Sequence, residues 1–100
     1  MNTIAFYIQG NSMNPTIANG DMVICKQQAQ LESVEENEVY AIVTHTGAVL
    51  VKRVKKVINP NGRIVQLKLI SDNPAEKPLR LGINNIKQLL KVEQTVAASA

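Results

Sequence analysis

The chain has no tryptophan and only three aromatic residues, Phe6, Tyr7 and Tyr40. That leaves little material for the stacking platforms on which proteins hold single-stranded nucleic acid. Its one cysteine, Cys25, has no partner for an internal disulfide. The usage fits a reducing cytoplasmic setting, and the thiol reads as a small buried hydrophobe. One histidine, His45, and one cysteine on separate segments do not make a metal-ligand cluster. No metal or cofactor is expected. Apolar runs are short: Ala48 to Val51 is cut at Lys52, far below the roughly 20 residues that span a bilayer. Met1 is followed by Asn2 and not by the basic start and apolar core of a secretory signal. Neither a membrane anchor nor export is expected.

What remains is a sequence of 100 residues, 45% of them hydrophobic, enough for one core and too little for two. Residues 1–100 are therefore read as a single domain. The formal charge is +3, with Lys52, Arg53, Lys55 and Lys56 close together. Such a cluster invites a nucleic-acid reading, but a solvated strand face accounts for it as well. Ile4 to Gln9 and Asp21 to Lys26 carry the alternation of strands, the second with Met22 and Ile24 on one face and Val23 and Cys25 on the other. Between them, Gly10 to Gly20 is rich in Asn, Ser, Pro and Gly, which predicts a loop. Gln27 to Asn37 is polar and reads as a surface connection. Glu38 to Thr44 and Ala48 to Ile58 predict a hairpin, and Asn59-Pro60-Asn61-Gly62 a turn into a further strand, Arg63 to Ile70. Ser71 to Pro78 is turn-rich. A short turn of helix near Asn84 and then a last strand complete the reading.

Within the first loop, Ser12 lies between Gly10 and Pro15. A catalytic serine needs an exposed turn, a base to take its proton and donors for the oxyanion. The loop supplies the turn, although a lone serine there equally satisfies a turn of its own. A Ser-His-Asp arrangement would have to use His45, with Asp21 or Asp72 to orient it. His45 sits in a hairpin loop, however, and both aspartates read as turn caps. A lysine base is the other route. In a strand, Lys52 shares a face with Leu50 and Val54, and Lys56 with Val54 and Ile58. Burial disfavours the ammonium form of a lysine, and the neutral amine is the form that accepts a proton. Periodicity does not choose between the two.

Gly10-Asn11-Ser12-Met13-Asn14-Pro15-Thr16, followed by Gly20-Asp21, resembles the nucleophile segment of LexA-type repressors, phage repressors and signal peptidases. Val51-Lys52-Arg53-Val54 resembles the lysine strand of the same families, and Ser71-Asp72-Asn73-Pro74 the loop that follows in the repressors. Together the similar segments run from about Phe6 to Val92. The resemblance implies a mainly β fold of coiled antiparallel sheets with a small barrel-like core. It also implies Ser12 as nucleophile, Lys52 as general base within hydrogen-bond reach of it, and the backbone N–H groups of Asn11 and Ser12 as oxyanion donors. Met13 is expected to pack beneath the loop.

Among these relatives, signal peptidases are held by transmembrane helices and carry arginine after their Asp-Asn pair, where this chain has Pro74. The repressor branch fits better. It implies a homodimer, with Leu89 to Val96 as the expected contact, and self-cleavage of an upstream linker, stimulated in many cases by a RecA filament during the SOS response. DNA would be bound only through an N-terminal domain that this chain does not include. Three alternatives stay open: a domain that dimerises and senses an effector without cleaving, an accessory subunit of an error-prone polymerase, and a soluble signal-peptidase-like enzyme.

Overall fold

A computed structural model describes residues 3–27 and 30–98. Seven strands, β1 (Thr3–Tyr7), β2 (Met22–Gln27), β3 (Val39–Thr44), β4 (Val49–Ile58), β5 (Ile64–Ile70), β6 (Leu79–Gly82) and β7 (Ile86–Val96), form one sheet. Their spatial order is β1-β2-β7-β3-β4-β5-β6, and all neighbours are antiparallel. The mainly β fold expected from the sequence is therefore present. Its sheet is open, with β1 and β6 at the two edges.

Chain order accounts for most of this pairing. β3, β4, β5 and β6 follow one another as a meander, which short turns permit only between antiparallel neighbours. The last strand then enters the middle. β7 pairs with β3 through Ile86 to Lys91 and with β2 through Leu90 to Val96, so it joins the β1-β2 hairpin to the meander. Beyond Lys91 its β3-facing side has no ladder partner.

Residues opposite each other in a sheet share a face, and the two faces bury different cores. Ala41 stands opposite Leu90, and both pack with Val23, Cys25, Ile8, Met13 and Ile17. The last three belong to the segment between β1 and β2, so this loop is the lid of the first core. Ile42 stands opposite Leu89 and packs on the other face with Tyr40, Val54, Leu67, Leu69 and Val34. Val34 is 3% exposed, and it follows a 3-10 turn, Leu31–Ser33. The segment read as a surface connection thus plugs the second core, while Gln28 and Ala29 lie outside the described residues. The Tyr40 hydroxyl accepts the Glu35 N–H at 3.0 Å, which gives this buried phenol its polar partner.

The expected helical turn near Asn84 is a 3-10 turn, Ile83–Asn85, directly before β7. Strand β6 was not distinguished in the sequence. It has four residues and lies at an edge, too short for its alternation to stand out from the turn-rich stretch before it.

Candidate active site

The segment carrying Ser12 begins and ends at glycines whose conformation is unusual. Gly10 and Gly20 have φ of +92° and +91°, in the left-handed region that side chains disfavour. Between them the backbone folds on itself: Ile17 N–H donates to Met13 O at 2.9 Å and Asn14 N–H to Asn11 O at 3.1 Å. The Gly10 N–H is taken by Asn19 Oδ1 at 2.8 Å. Met13 and Ile17 are buried beneath the loop, which leaves Ser12 half-buried at its surface. Met13 packs as the sequence led us to expect. The backbone N–H groups of Asn11 and Ser12 donate no hydrogen bond among the described residues.

Asp21 holds the far end of the loop. Its carboxylate accepts Ala18 N–H at 2.9 Å and Ala98 N–H at 3.0 Å, and those two donors hold its pKa below the usual carboxylate range. This is the capping role read from the sequence, with the added consequence that the loop is tied to the chain beyond β7.

Lys52 is 8% exposed, beside the fully buried Val54. The structure separates the two lysines that periodicity left equal. Lys56 is half-buried and directs its Nζ to Glu32 O at 2.9 Å, on the far side of the second core's plug. Lys52 instead lines a cavity of about 450 Å³ together with Ser12, Phe6, Ile8, Met13 and Val51. Ser12 and Lys52 therefore reach one cavity.

They are not hydrogen-bonded to each other. Lys52 Nζ donates to Ser71 Oγ at 2.7 Å. The reason lies in the register: the β4-β5 ladder ends at Arg53 opposite Ile70, so Lys52 and Ser71 come next to one another just past its end. Ser71 was legible only as part of a loop motif. Nothing in its local pattern marks it as the lysine's partner, because the pairing needs the long-range register.

The loop after β5 is bound to both the Ser12 turn and the Lys52 strand. Asp72 accepts Arg53 Nε at 2.7 Å and Nη2 at 3.1 Å, a two-pronged ion pair in which the guanidinium lowers the Asp72 pKa and the carboxylate raises that of Arg53. Asp72 is thus structural, as expected, but as an ion-pair partner and not as a turn cap. Asn73 donates its backbone N–H to Ser12 O and its side-chain Nδ2 to Asn11 O, both at 3.0 Å. The Ser12 turn, the Lys52 strand and the Ser71–Asn73 loop are one bonded unit.

The competing triad is not assembled. His45 is exposed in the β3-β4 hairpin, while the carboxylates of Asp21 and Asp72 bond to Ala18, Ala98 and Arg53. Cys25 is fully buried, and burial pushes its thiol up to about 11, far from the thiolate that a nucleophile requires. Among the described residues no cluster of His, Cys, Asp and Glu would hold a metal, and no helix is long and apolar enough to cross a membrane.

The chain belongs to the Peptidase S24-like family, whose model matches residues 1–92, and the resemblance to LexA-type and phage repressors holds at that level. A search among curated proteins found no match.

Proposed function

We propose that this chain is the dimerisation and self-cleavage domain of a LexA-like or phage-repressor-like transcriptional regulator, with Ser12 and Lys52 as its catalytic dyad. The observation that carries the reading is the common cavity of Ser12 and Lys52. In this reaction Ser12 Oγ attacks a peptide carbonyl while Lys52 Nζ takes its proton. The oxyanion is held by the N–H groups of Asn11 and Ser12, and their lack of other partners supports that role. As the C–N bond breaks, Lys52 passes the proton to the leaving amine. Water then hydrolyses the serine ester.

Strand edges supply the way in. β1 has a neighbour on one side only, and β4 pairs with β5 only from Arg53 onward, so the cavity lies between two stretches of strand backbone that each lack a partner on one side. An extended linker adds to such edges through main-chain hydrogen bonds. The substrate is the protein's own upstream linker, whose tethering gives it a high effective concentration. Ser71 holds the Lys52 amine until substrate is present, and catalytic hydrogen bonds commonly tighten only then. A RecA filament is the proposed stimulus, recognition of the operator sequence belongs to a further N-terminal domain, and the setting is cytoplasmic.

One observation favours a second reading, a domain that dimerises without cutting: the lysine's bond goes to Ser71 and not to Ser12. Incubating the full-length regulator at several pH values, beside Ser12→Ala and Lys52→Ala, separates the two. Wild type is expected to yield two fragments, faster at alkaline pH because the base acts deprotonated, and neither variant to do so. Intact wild type under every condition, RecA filament included, would establish the non-cleaving module.

A further inference from the structure

The outer end of the sheet sets three cations in a line. Lys55 of β4 stands opposite Lys68 of β5, and Lys68 stands opposite Arg80 of β6, so all three side chains leave the same face. Lys55 and Arg80 are exposed and Lys68 is half-buried. Like charges directly opposite on neighbouring strands repel. The ion pairs among the described residues are Arg53–Asp72 and Lys91–Glu35. None of the three row residues takes part in either. Nor can the row turn inward, because the reverse face of these strands carries Val54, Leu67 and Leu69 of the second core.

We propose that Lys55, Lys68 and Arg80 form a binding site for the phosphodiester backbone of a nucleic-acid duplex, without regard to base sequence. Three strands set about 4.8 Å apart spread the row over about 10 Å, a width comparable to the roughly 12 Å of a major groove between its two backbones. The composition of the face decides against the other polyanions. Its remaining side chains beside the row, Val57, Gln66, Ile70 and the Asp72-paired Arg53, include no aromatic, so single-stranded bases find nothing to stack on. An acidic protein partner fits poorly as well, since protein interfaces are depleted in lysine and built around aromatic anchors. Phosphate oxygens need only the charge and the donors. This site is separate from the Ser12 cavity and does not depend on any peptidase activity.

Fluorescence anisotropy of a labelled duplex of mixed sequence, titrated with the chain at low and rising salt, tests the proposal. Binding should weaken steeply with salt, and a triple Lys55→Gln, Lys68→Gln, Arg80→Gln variant should lose at least about tenfold in affinity, with a salt slope smaller by about 0.9 per lost phosphate contact. A Lys26→Gln, Lys87→Gln variant removes two exposed lysines from other strands and should bind nearly as wild type. Thermal unfolding serves as the folding check: removing the repulsion should leave the triple variant as stable as wild type or more so. Absence of duplex binding at low salt overturns the proposal. So does an equal loss in the two variants, which would make the effect one of net charge, or tighter binding to polyglutamate than to duplex, which would make the partner an acidic protein.

Discussion

At the residue scale the decisive side chain is Ser71. Its hydroxyl is the group to which Lys52 Nζ donates, so it fixes where the amine sits relative to the Ser12 cavity. Replacing Ser71 by alanine leaves the amine without the group that positions it; because misplacing a proposed catalytic group is costly, self-cleavage of the full-length protein should slow by about tenfold or more. Ser71→Thr keeps the hydroxyl and should restore most of the rate. If alanine and threonine variants cut alike, the bond has no positioning role. Ser12 and Lys52 were singled out in the sequence because each sits in a short motif whose neighbours are local. Ser71 escaped because its role is set by where one strand ends against another, a property of register that no window of adjacent residues contains.

Elements show the same division between local and long-range information. The strands with clear alternation were legible, and the Asn59–Gly62 turn could be placed from its proline and Asn-Gly pair. The plug of the second core was not: Val34 lies among polar residues, and only its packing against one face of the sheet reveals its burial. Likewise, Asp72 and Asn73 look like ordinary turn residues until the loop is seen fastening β4 to the Ser12 turn. That fastening has a pH signature. The Asp72 pKa is depressed in the folded state, so the ion pair contributes stability above the unfolded carboxylate pKa of about 3.9, and the contribution disappears as pH falls through the lower folded value. Asp72→Asn should therefore cost about 1–2 kcal/mol at neutral pH, the Arg53 side being partly exposed and so partly screened. Urea unfolding of both proteins at neutral and strongly acid pH measures this, and a gap that stayed constant into acid would assign the cost to packing.

For the whole molecule, the position of β7 sets how copies can meet. Because it runs between β2 and β3, the contact expected at Leu89 to Val96 is restricted to the side of Val92 to Val96 that has no ladder partner, with the β1 and β6 edges as further places where strands can add. A homodimer through that half-open strand should be seen by sedimentation at micromolar concentration, and Val96→Asp should weaken it by about tenfold or more, the equivalent of 1.4 kcal/mol. Wild type that remains monomeric would remove the dimer from the proposed function. The central placement of the last strand also sets a timetable. Ser12 is made with the first hairpin and Lys52 with the meander, and the strand that joins these two halves follows both in the chain. Until it arrives, Ser12 and Lys52 share no sheet, so a growing chain carries the two proposed catalytic groups before they are joined. Such late, non-local pairing is the slow step of β proteins, and under the proposed self-cleavage that delay would guard a chain that has not yet folded from cutting itself.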